Sequence, residues 1–93
     1  MTYETLRICS GGGGFEAVPR PRVATDLLRL RQLLEENAVS VIDARVMLIF
    51  RWREEVTVAR DGRVLIKSPD QQEASSIWSE IEPLLNRVQT TSA

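Results

Sequence analysis

The chain has 93 residues, enough for one domain, with 12 basic and 13 acidic side chains and a net charge of -1. That balance gives no bulk attraction to nucleic acid or to an anionic membrane. Histidine is absent and cysteine occurs once, which argues against Ser-His-Asp and Cys-His catalysis, most zinc sites and any internal disulfide.

An apolar fraction of 43% supports a real core, burying roughly two-thirds of the unfolded surface at this size. No run of about 18 apolar residues is present, so no transmembrane helix is expected. The N-terminal MTYETLRICS lacks a basic stretch leading into an apolar one, so no secretory signal is expected either. With a lone cysteine, these features point to a cytoplasmic protein, and nothing in the chain calls for a cofactor or a metal. Its basic residues are 11 arginines and one lysine, Lys67.

Residues 2–9 alternate loosely, Leu6 and Ile8 against Thr5, Arg7 and Cys9, and predict a short strand. Gly11, Gly12, Gly13 and Gly14 end it, and Pro19 and Pro21 follow. Residues 10–22 therefore read as a flexible Gly/Pro loop, with Phe15 and Val18 available to pin it to the body. A helix is predicted over 25–36, with Thr25 or Asp26 as its cap. Its apolar stripe comprises Leu27, Leu30, Leu33 and Leu34, widened by Leu28. Asn37 suits a left-handed stop.

The next stretch reads as sheet. Val39 to Ile42 is a short lead-in strand, residues 45–52 the longest strand, Arg53 and Glu54 a turn, and 55–60 the return. Asp61-Gly62 predicts a type I′ hairpin into a last strand at 63–67. Alternation assigns Val46, Leu48, Phe50, Trp52, Val56, Val58, Val64 and Ile66 to the core. Arg45, Met47, Ile49, Arg51, Glu55, Thr57, Ala59, Arg63, Leu65 and Lys67 fall on the other face.

A second helix is announced by Ser68-Pro69-Asp70-Gln71, read as a capping box with proline at the first helical position. Ala74, Ile77, Trp78 and Ile81 continue it. Pro83 is expected to break or kink it near Ile81, with Leu84, Leu85 and Val88 adding one packed turn. Gln89 to Ala93 is a polar tail. The principal elements run β-α-β-β-β-α, an α+β two-layer sandwich with helices on one face of a mainly antiparallel sheet.

Several groups are candidate sites. Cys9-Ser10 before four glycines offers a thiol or an amide cradle. Yet no Lys-Ser/Thr completes a P-loop and no helix opens directly after the glycines, so a connection is the simpler reading. The carboxylates Glu35, Glu36, Glu54, Glu55, Glu80 and Glu82 do not converge by spacing, and a catalytic pair needs a desolvated cleft. Trp52 and Trp78 sit at core-facing positions, where an indole packs and bonds its N–H at the rim. The arginines are the third candidate. Met47, Ile49 and Leu65 among Arg45, Arg51, Arg63 and Lys67 form an apolar patch ringed by cations on the outer sheet face, the pattern of a protein-binding surface. RNA-reading sheets expose aromatics, whereas Phe50 and Trp52 here face the core.

Residues 45–82 carry a further pattern. Val56, Thr57 and Val58 lead to Asp61-Gly62-Arg63, then Val64, Leu65, Ile66 and Lys67, then Asp70, Ala74 and Trp78. This succession resembles the small C-terminal segment that follows the adenylating domain in the ThiF/MoeB/HesA group of ubiquitin-activating-like enzymes. Ala59-Arg60 stands where that group has a phenylalanine-proline pair, and Ser68-Pro69 where it has Gly-Thr. The group's nucleotide-binding glycines, adenylating arginines and zinc-binding cysteine pairs have no counterparts, so no catalytic residue carries over. The resemblance implies an accessory domain that handles ubiquitin-like sulfur carriers by contact. The expectation is a non-enzymatic interaction domain that binds a partner protein, or itself, through the outer sheet face. The alternative is a thiol- or sulfur-handling protein using Cys9.

Overall fold

The computed structural model describes residues 2–3, 7–8, 14–17, 19–20 and 24–90. Five short strands come first: β1 (Thr2–Tyr3), β2 (Arg7–Ile8), β3 (Phe15–Ala17), β4 (Pro19–Arg20) and β5 (Ala24–Thr25). Helix α1 (Leu27–Glu36) leads to β6 (Val41–Asp43), β7 (Met47–Trp52), β8 (Glu54–Ala59) and β9 (Val64–Lys67). Helix α2 (Gln71–Val88) and β10 (Gln89–Thr90) follow. The main sheet has six strands in the order β2-β3-β9-β8-β7-β6, with every neighbouring pair antiparallel. Two small pairs stand apart, β1 with β4 and β5 with β10. The expected α+β architecture holds, with both helices packed against the sheet.

Residues 10–22, expected as a loop, contribute a strand. Phe15–Ala17 pairs with Val64–Ile66 and extends the sheet inward of β2. Phe15 and Ala17 are buried, because the FEA triplet alternates apolar, polar, apolar in register with β9. Gly14 is required there. A Cβ at this position would collide with the carbonyl oxygen of Ile66, so the backbone approaches β9 as only glycine permits. Val18, Cys9 and Gly11 to Gly13 lie outside the described residues.

The buried faces line up across the strands. One row runs Val41–Phe50–Val56–Ile66–Phe15 and a second Asp43–Leu48–Val58–Val64–Ala17. Against them lie Leu30, Leu33 and Leu34 of α1 and Ala74, Ile77, Ile81, Leu85 and Val88 of α2. Two expected core members fall elsewhere. Val46 is 53% exposed, because it belongs to the β6–β7 turn and the strand begins only at Met47. Leu28 is 66% exposed, since its position is about 200° around the helix from Leu30.

The helix ends differ in detail from the sequence reading. Asp26 caps α1, its carboxylate accepting from the Arg29 amide at 3.1 Å. At the other end Asn37 keeps a negative φ, and the left-handed residue is Ala38, at φ 63. The Val39 amide donates to Leu34 O and the Ala38 amide to Glu35 O, a Schellman closure with alanine where glycine is the ordinary occupant. Helix α2 begins two residues later than the capping box implied. Asp70 accepts from the Gln72 amide and its carbonyl takes the Ala74 amide. Ser68 is buried, its hydroxyl 3.2 Å from Glu73 Oε1. Pro83 does not end the helix. Leu85 and Val88 beyond it are buried, and that packing offsets the roughly 3 kcal/mol an interior proline costs.

The turns depart from expectation too. At Asp61-Gly62 only the glycine takes a positive φ, 93°. The Gly62 amide donates to Ala59 O and the Ala59 amide to Arg63 O, a three-residue loop closed by a left-handed glycine instead of a type I′ turn. Between β7 and β8 the chain reverses at Arg53, at φ 65.

Two outcomes test this account of the backbone. Gly14→Ala should lower stability by about 1–3 kcal/mol in urea unfolding, through overpacking against β9. Ala38→Gly, at an exposed left-handed site, should raise it by up to about 1 kcal/mol.

Candidate functional site

The outer face of the sheet is ordered by the same register that builds the core. Its central row is Ile42–Ile49–Thr57–Leu65–Glu16. On one side of it runs Arg51–Glu55–Lys67, and on the other Met47 opposite Ala59. The face is therefore an apolar strip with alternating charges along one side and Arg63, beside Ala59, on the other. Lys67 Nζ is 3.0 Å from Glu55 Oε2, as cross-strand partners of opposite charge should be. Arg51 donates from Nη1 to Arg53 O at 3.1 Å. Arg63 Nε is 3.0 Å from Asp61 Oδ2, within its own turn.

Met47, Ile49 and Leu65 are half-buried, and the most open apolar member of the row is Ile42, 64% exposed. Ile42 was missed by alternation because β6 is only three residues long. Its place opposite Ile49 supplies the face assignment. Two shallow depressions mark the strip. One, about 250 Å3, lies among Ile42, Ile49, Arg51 and Glu55. The other, about 170 Å3, lies among Thr57, Leu65, Arg63 and Glu16. Ile49, Arg51, Arg63 and Leu65 are thus brought to these hollows, while Arg45 is not. Arg45 occupies the β6–β7 turn at φ 72 and lines a groove beside the start of α1.

Several of the glutamates are engaged within the fold. Glu80 on α2 accepts from the Trp52 indole N–H at 2.9 Å and from Arg53 Nη2 at 2.8 Å. Arg53 Nη2 also donates to Ser76 Oγ. This cluster pins the β7–β8 turn onto α2, and it places the Trp52 N–H at the rim of the core as an amphipathic indole requires. Trp78 is likewise half-buried against the core. Glu54 lies opposite Trp52 at the end of the inner face. Its hydrogen bond with Glu73 holds the Glu54 carboxyl above the ordinary glutamate range. Partial burial and the Glu73 charge act the same way, and Arg51 opposes them. Among the described residues no group of three or more cysteine, aspartate or glutamate side chains could hold a metal. No helix among them is long and apolar enough to cross a membrane.

Comparison of the chain with protein-family models, curated proteins and solved structures returned no match.

The raised Glu54 carboxyl sets a sign for pH dependence. The folded state holds this proton more tightly than the unfolded chain, so stability falls as pH rises from the ordinary glutamate range through the raised value. Urea midpoints measured across that window should decline for the native chain, and Glu54→Gln should flatten this part of the profile.

Proposed function

We propose that the protein is a non-enzymatic interaction domain that engages a protein partner through the outer sheet face. The observation that carries this reading is the row Ile42–Ile49–Thr57–Leu65, which keeps apolar side chains accessible on the sheet face opposite the helices. Contiguous exposed apolar surface beside charges is the pattern of a recognition face. Arg51 at its margin makes no ion pair among the described residues, so a partner that brings a carboxylate beside an apolar strip complements it. The resemblance of residues 45–82 to the C-terminal segment of ThiF/MoeB/HesA-type enzymes suggests what such a partner is: a ubiquitin-like sulfur carrier or its activating enzyme, bound by contact. A second copy of the chain is the alternative partner.

Tagged protein would be used to recover partners from native lysate, identified by mass spectrometry, with Ile49→Glu/Arg51→Glu as the control. The expected result is one recurring partner, lost in the control while cooperative unfolding is retained, with affinity reduced by at least about tenfold for the removed central contact. Equal recovery by the control would remove the outer face from the account.

A further inference from the structure

Strand β6 closes the main sheet on the β7 side, and among the described residues no strand pairs with its outer edge. Which of its backbone groups face outward follows from one bond. The Ala44 amide donates to Met47 O, so Ala44 and Met47 are a hydrogen-bonded pair that continues the β6–β7 register. Hydrogen-bonded and non-hydrogen-bonded pairs alternate along an antiparallel ladder. Ile42 therefore exchanges its bonds with Ile49, while the N–H and C=O of Val41 and of Asp43 point away from the sheet. The edge thus offers two donors and two acceptors, and its outer-face side chain is Ile42, 64% exposed. Natural edges are commonly guarded by lysine, proline or a bulge. β6 carries none of these, and its single charge, Asp43, is answered by Arg31 Nη1 at 3.3 Å.

This edge is complementary to itself in one register. Side chains directly opposite one another share a face, so two copies of β6 pair antiparallel about Val41, Ile42 or Asp43. Centred on Val41, the pairing sets Asp43 against Val39, whose amide is already given to Leu34 O. Centred on Asp43, it brings two carboxylates face to face, which is unfavourable. Centred on Ile42, Val41 of each copy meets Asp43 of the other, and every outward group of both strands is used, in four bonds. Ile42 of one copy then faces Ile42 of the other in a non-hydrogen-bonded pair, where Cα atoms approach to about 4.5 Å. The apolar rows of the two outer faces join end to end.

The helix layer fits the same axis. Arg31 meets Asp43, and the Val39 amide donates to Leu34 O, so α1 runs antiparallel to β6. Arg31 also holds Glu35 at 3.2 Å. Glu35 lies one turn further on, about 6 Å along the helix, which is about two strand residues and returns it to the level of Val41. A two-fold axis through Ile42 exchanges these levels, so Arg31 of each copy comes level with Glu35 of the other and opposite charges meet. Helix α1 lies over β6 and β7. With strands about 4.8 Å apart, the two α1 helices stand about 10 Å from each other, an ordinary packing distance. We propose that the chain forms a two-fold dimer by antiparallel pairing of β6 with β6, which joins two six-stranded sheets into one. The proposal is independent of the outer-face reading, because its contact is the sheet edge and Ile42 is the one residue common to both.

The test is sedimentation equilibrium of the full chain from roughly 1 μM to 1 mM, the range a small interface occupies, with amide hydrogen exchange alongside. A monomer–dimer equilibrium is expected. The Val41 and Asp43 amides should gain protection as the dimer fills, while those of Ile42 and Ala44, bonded to β7, are protected throughout. A mixture of isotope-labelled and unlabelled chains should show an intermolecular NMR contact between the Ile42 Hα atoms. Ile42→Lys, at an exposed edge position, should weaken the dimer by about tenfold or more. Val41→Pro removes an outward donor and leaves the bonds to β7 in place, so it should act in the same direction. Cooperative unfolding is verified for each variant. Ile49→Glu/Arg51→Glu, which tests the outer face, should keep its dimer. A monomer throughout the range, or a dimer unchanged in both edge variants, would overturn the proposal. So would a dimer lost only in Ile49→Glu/Arg51→Glu, which places the second copy on the outer face. A monomer whose Val41 and Asp43 amides become protected only when lysate is added gives the edge to a foreign strand and overturns it equally.

Discussion

The stack of cross-strand pairs from Val41 through Phe50, Val56 and Ile66 to Phe15 is the contact on which the rest of the molecule depends. Side chains alternate along a strand with period two, so a one-residue slip at any step would turn the buried set outward. Five strands are locked to one register by this row, and the helices pack on the surface it presents. The outer rows are a consequence of the same choice. Once Phe50 faces Val56, Ile49 must face Thr57 and Arg51 must face Glu55. The core and the recognition strip are two sides of a single pairing decision.

That decision imposes demands on the connections, and among the described residues three non-glycine residues absorb them with positive φ: Ala38, Arg45 and Arg53. A left-handed non-glycine residue costs roughly 1–2 kcal/mol, and the surroundings account for each differently. At Ala38 the return is local, two amide bonds that close the end of α1. At Arg53 the side chain reaches Glu80 and Ser76 on α2, so a strained turn also carries a tie between layers. Arg45 has no such compensation, because among the described residues only its amide and its carbonyl have partners. An arginine in a glycine position whose guanidinium is left to solvent is hard to explain by stability.

How much was legible in the sequence follows from which forces are local. The meander β7–β8–β9 and its faces were readable because Leu48, Phe50, Val56, Val58, Val64 and Ile66 alternate strictly, and periodicity of two is a property of neighbours. Strand β3 was not readable. Three alternating residues after a glycine run are too few to establish a period, and Phe15 becomes a strand residue only through Ile66, 51 positions away. At Pro83 both sides were legible: the local cost suggested a break or kink, and the spacing of Leu84, Leu85 and Val88 suggested the packed turn beyond it, in which Leu85 and Val88 are buried and the helix runs on to Val88. For the site, Ile49, Arg51 and Leu65 were found by alternation. Ile42 escaped it because its face is set by pairing, and Arg45 was misplaced because one positive φ removes a residue from the strand's alternation altogether.

Net charge describes the whole chain and not any one surface of it. A chain at -1 suggests indifference to anions, yet screening confines a surface charge to about 8–10 Å in physiological salt. What a ligand meets is therefore the local sum. Exposed ion pairs such as Lys67–Glu55, Arg63–Asp61 and Arg53–Glu80 add little to stability. They do decide where charge is left over. They occupy acids across the outer face and the α2 surface, whereas Arg45 and Arg60 share their groove with Asp26 and Asp43. The groove beside the start of α1 is balanced in the same way, two guanidinium groups against two carboxylates, so local and overall charge agree there.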